Sequence, residues 1–96
     1  MKVYWTETAE SHLEAIFSYI SSDSPQYAKQ IIDKITRRSQ QISFFPLSGR
    51  KVPEYDNENI REIFEGSYRL IYYIKSSQID VLAVIHSHRN IDNSNP

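Results

Sequence analysis

The order of apolar and polar residues divides the chain into a helical first half and a β-rich second half. Lys2 to Trp5 is short, β-branched and aromatic, and Thr6 behind it is a good N-cap, so a first strand is predicted there. Ala9, Leu13, Ile16, Phe17 and Ile20 then recur at spacings of four, three, one and three, the mark of one buried helix face. Glu7, Glu10 and Glu14 load the first turns favourably for the helix dipole, and a helix is predicted over roughly Glu7 to Ser21. Ser24-Pro25 supplies an N-cap and the one helical position where proline is welcome, and Ala28, Ile31, Ile32, Ile35 and Ile42 carry a second stripe to about Phe44, ahead of Pro46. A linker of about three residues between the two makes them an antiparallel hairpin with both apolar faces turned to one side, in need of a sheet to cover.

The second half supplies it. Ser48-Gly49-Arg50, Val52-Pro53-Glu54 and the polar stretch to Asn59 read as turn and loop. Ile60 to Phe64, Tyr68 to Ile74 and Ile79 to His86 are rich in Ile, Val, Tyr and Phe, with Gly66-Ser67 and Ser76-Ser77 as tight connections. With two-residue turns, register places Arg69, Ile71 and Tyr73 beside Ile60, Glu62 and Phe64 on one flank and beside Asp80, Leu82, Val84 and His86 on the other. The other face then carries Leu70, Tyr72, Ile74, Val81 and Ala83. Lacking a charge in the central strand, that face is assigned to the helices, and the Arg69 face is expected to be the open, functional one. The expected fold is α+β, in the order β-α-α-β-β-β, with the helical hairpin on one face of a small antiparallel sheet.

Composition narrows the function classes. The chain has 96 residues, enough for one domain and too few for two. One domain over residues 1–89 is expected, followed by a polar, poorly ordered tail from Asn90 to Pro96. Eleven basic against twelve acidic side chains give a net charge of -1, so any role on nucleic acid must rest on a local patch. The absence of cysteine excludes a disulfide framework and a thiolate metal site and fits a reducing cytoplasm. No apolar run approaches the roughly 18 residues of a membrane span, and Met1 to Glu7 lacks the apolar core of a signal peptide.

Several segments together resemble one known family. They are Trp5-Thr6 leading into a helix with Ala9 and Leu13, then Phe45-Pro46-Leu47-Ser48-Gly49-Arg50, Ile60-Arg61-Glu62-Ile63, Tyr68-Arg69-Leu70-Ile71-Tyr72 and Val84-Ile85-His86-Ser87-His88-Arg89. In order and spacing they look like a RelE/ParE superfamily toxin, the toxic half of a type II toxin-antitoxin pair, and the likeness covers nearly the whole chain. It implies a cognate antitoxin (ParD-like or similar), a hetero-oligomer with it, and one of two targets: DNA gyrase for ParE-like members, messenger RNA on the ribosome for RelE-like ones. Tyr68-Arg69 and Arg89 fall on the cationic positions of the RNA cutters. The lysine pair of those enzymes falls on Ile60 and Glu62, and their C-terminal tyrosine meets Asn95 or nothing. Each lost charge contact in a transition state costs about 3 to 4 kcal/mol, so the resemblance favours the ParE-like branch, which binds rather than cleaves. A degenerate toxin kept for antitoxin binding is the third reading.

Residue by residue, Arg69 is either a phosphate or target clamp or one half of a cross-strand pair with Glu62 or Asp80. Arg61, on the opposite face, suggests a structural partner such as Glu14 or Tyr72. If the chain cuts RNA, His86 or His88 is the base and Arg69 with Arg89 the phosphate clamp. A metal at the His86/His88 pair lacks further ligands beyond Asp92 or His12, and no metal or cofactor is expected. Arg50, Arg61, Arg69, His88 and Arg89 are the candidate partner contacts. Tyr4, Trp5, Tyr19, Tyr27, Phe44 and Phe45 are expected in the core or at the antitoxin interface, with Trp5 largely buried.

Overall fold

The computed structural model describes residues 1–87. Strand β1 (Lys2–Trp5) leads into helices α1 (Glu7–Ser21) and α2 (Pro25–Phe44), a 3-10 turn at Pro46–Ser48, and strands β2 (Arg50–Lys51), β3 (Ile60–Glu65), β4 (Tyr68–Ile74) and β5 (Gln78–His86). The caps act as the sequence predicts. The Thr6 hydroxyl accepts from Ala9 N–H at 3.1 Å and donates to the Val81 carbonyl at 2.8 Å, so one side chain starts α1 and ties it to β5. Ser24 accepts from Tyr27 N–H at 3.1 Å and Pro25 opens α2. Gly66, at φ +57°, takes the left-handed position of the β3–β4 turn, where a side chain would be strained.

The sheet order is β1-β5-β4-β3-β2, mixed rather than wholly antiparallel, because β1 lies parallel to β5. A two-residue strand at Arg50–Lys51, in a stretch the sequence reads as loop, adds the far edge against β3. Helices α1 and α2 cover one face. Ala9, Ile35 and Ile42 pack there on Ile63, Leu70, Tyr72, Ile79, Val81 and Val84. Trp5 lies at the rim of this core, half-buried rather than largely buried.

The β3–β4 register agrees with expectation, with Phe64, Glu62 and Ile60 opposite Arg69, Ile71 and Tyr73. The β4–β5 register does not. Tyr72 lies opposite Val81 but Ile71 lies opposite Ala83, so Leu82 is an extra residue in a bulge. Beyond it every side chain of β5 changes face: Val84 joins the helix-side core, while Ala83 packs with Ile71 on the other side. β1 ends opposite Val81, and past that point α1 crosses the outer edge of β5, where His12 Nδ1 accepts the Val84 N–H at 3.2 Å. That bond uses a ring nitrogen that metal ligation would need.

Candidate functional site

The Arg69 face, expected to be open, is covered by the chain between β2 and β3. Val52 is fully buried against Ile71 and Ala83, and Tyr55 packs beside it. Here four charges form a line, the inner two, Glu62 and Arg69, buried, Glu54 reaching them from the strap and Arg50 from the solvent side. Glu62 is 1% exposed and Arg69 is 5% exposed. Arg69 holds Glu54 with both terminal nitrogens, Nη1 to Oε2 at 3.2 Å and Nη2 to Oε1 at 3.1 Å. Its Nε is in ionic contact with Glu62 Oε1 at 2.8 Å, and Arg50 Nε donates to Glu62 Oε2 at 2.5 Å. Two cations and two carboxylates alternate, so the row is neutral. A buried guanidinium is tolerable only with such partners, since losing one side of a buried pair typically costs about 3–5 kcal/mol. The cation read as a surface clamp is thus spent inside the fold, and of its two expected partners Glu62 is present while Asp80 is paired elsewhere, with Lys75 at 2.6 Å.

Gly49 and Tyr72 fix this end of the sheet. The Tyr72 hydroxyl donates to the Pro46 carbonyl at 2.6 Å and accepts the Gly49 N–H at 3.0 Å. Burial pushes that hydroxyl above the ordinary tyrosine range, which keeps it a neutral donor, although the Gly49 bond and the Arg61 charge act the other way. A Cβ on residue 49 would stand 2.6 Å from both the Glu62 carbonyl oxygen and the Tyr72 hydroxyl, so only glycine fits. Arg61 is structural: Nε donates to the Glu58 carbonyl and Nη1 to the Gly49 carbonyl, each at 3.0 Å. Of the two partners suggested for it, Tyr72 is near enough to feel its charge.

The remaining candidates are not gathered around Arg69. His86, at the exposed end of β5, stacks edge-on against Tyr68 with centroids 5.9 Å apart and planes at 73°. Because of the Leu82 bulge it pairs with Tyr68, whose ring packs on the helix-side core, whereas Arg69 pairs with Ile85 under the strap. His86 and Arg69 therefore point to opposite faces, contrary to the expected register. His88, Arg89 and the tail from Asn90 lie outside the described residues. Among the described residues, no group of three or more His, Cys, Asp or Glu is arranged to hold a metal ion.

Reasoning from sequence missed Glu54, Gly49 and Tyr72. Gly49-Arg50 after Pro46 is the one local signal, and the sequence allows it to be either a target-contacting loop or the turn that releases the chain from α2 into the sheet. Of the aromatics expected in the core or at the antitoxin interface, several stand on the surface. Tyr19 is 80% exposed, Phe44 78% and Phe45 65%, so none of them is core. Burial raises the Tyr68 hydroxyl above its ordinary value, and Tyr27 and Tyr19 add to that shift. A groove of about 600 Å³ between α1 and α2 is lined by Leu13, Phe17 and Ile32 together with Glu10, Glu14 and Ser18.

The chain is 26% identical over 88 residues to a protein of Sinorhizobium fredii (strain NBRC 101917 / NGR234) described as "Putative toxin Y4kP", spanning 92% of this chain and 90% of that one. Its fold matches a chain from the "Chromosomal ParDE TA system from P. aeruginosa" with a TM-score of 0.75 at 19% identity, over 90% of this chain and 95% of that one. It also matches the "YoeB/ParE toxin from Agrobacterium tumefaciens" with a TM-score of 0.62 at 14% identity, over 90% and 98% of the two chains. The family described as ParE toxin of type II toxin-antitoxin system, parDE, matches residues 3–91. With that match spanning almost the whole sequence, on a two-helix, five-stranded sheet common to the solved relatives, the chain belongs to the ParE toxin family.

Proposed function

We propose that this toxin acts by binding DNA gyrase and poisoning it, not by cutting RNA, and that a cognate antitoxin neutralises it in the cytoplasm. The observation that carries this reading is the capture of Arg69 between Glu54 and Glu62 beneath the strap. Scission of a ribose-phosphate chain needs preorganised positive charge aimed at the phosphate, and here the central cation faces two carboxylates instead. The separation of His86 from Arg69 on opposite sheet faces supports the same conclusion. For the antitoxin, the groove between α1 and α2, lined by Leu13, Phe17 and Ile32 with Glu10 and Glu14, suits an amphipathic segment that folds on docking and carries basic residues beside its apolar ones.

The purified chain, added to a gyrase supercoiling assay, is expected to inhibit supercoiling or trap cleaved DNA, and to leave messenger intact in a translating extract. Messenger cleavage without any effect on gyrase would reverse the assignment and return the catalytic role to Arg89 and the histidines. No effect in either assay would favour a degenerate toxin that only binds its antitoxin.

A further inference from the structure

Among the described residues, the edges of the sheet are guarded at every strand but one. β2 is two residues long and both are cationic, Arg50 and Lys51, and past it the Phe64 carbonyl of β3 is held by Arg38. The outer edge of β5 beyond Val81 is taken by α1, where His12 accepts the Val84 N–H. β1 is the exception. Its register with β5 and the bond from Thr6 N–H to the Val81 carbonyl at 3.1 Å set the alternation of a parallel ladder: Tyr4 and Thr6 turn their backbone groups to β5, and Val3 and Trp5 turn theirs outward. Among the described residues no group bonds to those outward donors and acceptors.

This open edge is complementary to itself. Edge strands are normally protected by proline, a bulge or charge, and Val3-Tyr4-Trp5 carries none of these. Val3 and Trp5 line, with Phe44, a groove of about 450 Å³ between β1 and α2. Turned about a two-fold axis at Tyr4, a second β1 runs antiparallel to the first, with Val3 of each copy opposite Trp5 of the other and both backbone bonds exchanged in each pair. A β-branched residue facing an aromatic one is a favourable cross-strand pair. The two Tyr4 rings, 43% exposed in the single chain, then face each other across the axis. The same rotation sets Lys2 opposite Thr6, and so beside Glu7, the first residue of α1, in the second copy. Neither Lys2 nor Glu7 has an ion pair among the described residues, and the symmetry brings the two together twice.

We propose that the outer edge of β1 is a self-association site, through which two copies of this chain pair antiparallel about Tyr4 and join their five-stranded sheets into one. A second copy is the occupant that the edge itself specifies, since its apolar residues, its outward backbone groups and its two unpaired charges all find partners in the same rotation. The contact is only a four-residue strand long, so the dimer is a weak one, populated at micromolar rather than nanomolar concentrations. It leaves the α1–α2 groove free for the antitoxin, and it stands whether or not the toxin's target is DNA gyrase.

The test follows the full chain by sedimentation velocity over a concentration series from low micromolar to submillimolar, where a reversible monomer–dimer equilibrium is expected. The chain has no cysteine, so single cysteines report the register cleanly. Tyr4→Cys should give a disulfide-linked dimer under mild oxidation, because residues facing each other in a non-hydrogen-bonded pair have Cα atoms about 4.5 Å apart, within disulfide reach. Lys2→Cys should not, since the two copies of residue 2 lie roughly 13 Å apart along the strands. Tyr4→Glu sets two carboxylates against each other at the axis and should weaken association at least about tenfold. Its melting temperature should stay within about 3 °C of the parent at concentrations where both are monomeric, since the ring is exposed. A chain that remains monomeric throughout the series, equal cross-linking of the two cysteine variants, or a dimer that Tyr4→Glu leaves intact would each overturn the inference. So would a monomer whose affinity for its antitoxin falls on Tyr4→Glu, because β1 would then be the docking edge for an antitoxin strand.

Discussion

The two faces of the sheet are built by opposite means. Beneath the helices the interface is mainly apolar, with Ile35 and Ile42 packed in one core with Leu70, Val81 and Val84, and its buried polar groups, the Tyr72 and Ser39 hydroxyls, are hydrogen-bonded. Beneath the strap the apolar part is small, with Val52, Ile71 and Ala83 the fully or nearly buried members among the described residues, and beside it runs an alternating row of arginine and glutamate whose inner pair is buried. The first face stabilises through area removed from water and tolerates volume-conserving apolar changes best. The second is neutral only as a set, so its energetics are those of a network in which each member is costly to lose alone and much less costly to lose with its partner.

That contrast can be broken in order of expected effect. Glu62→Ala leaves Arg69 with half its partners and should destabilise the fold by about 3–5 kcal/mol, read from urea unfolding. A loss under about 1 kcal/mol would mean that water reaches the row. Ile35→Ala, on the helix-covered face, should cost about 2–5 kcal/mol by cavity creation, with no dependence on salt. Tyr72→Phe removes the acceptor for the Gly49 N–H and the donor to Pro46, for about 1–3 kcal/mol. The smallest effect concerns pH. Hydrogen bonds from Lys75 and then Gln78 hold the Asp80 carboxyl below the ordinary aspartate range. A depressed folded value contributes stability above the unfolded pKa that is lost as pH falls through the folded one. Melting curves for Asp80→Asn should therefore converge with the parent toward strongly acid pH and lie below it at neutral pH.

Most of the framework was legible because its signals are local. Both helix spans, the caps at Thr6 and Ser24 and strand β4 coincide with the positions read from periodicity, because one amphipathic stripe or one proline suffices to set each. The errors share one origin, information that is not local. No glycine or proline marks the bulge at Leu82, yet one extra residue moved Val84 and His86 to the other face. The strap looked like loop because its residues are mostly polar, and nothing in Val52-Pro53-Glu54 announces that the valine is buried or that the glutamate reaches β4. The cross-strand partner of Arg69 in Glu62 could be read from register, whereas Glu54 could not.

The central claim, that Arg69 serves the fold and not a substrate, is tested most directly by removing the buried pair together. The double variant Arg69→Met with Glu62→Leu replaces the inner charges by apolar side chains and leaves Arg50 and Glu54 near solvent. The account predicts a folded protein that arrests growth and inhibits gyrase supercoiling as the parent does. A variant that folds with an unchanged melting curve but has lost its toxicity would contradict it, because Arg69 would then have been meeting the target.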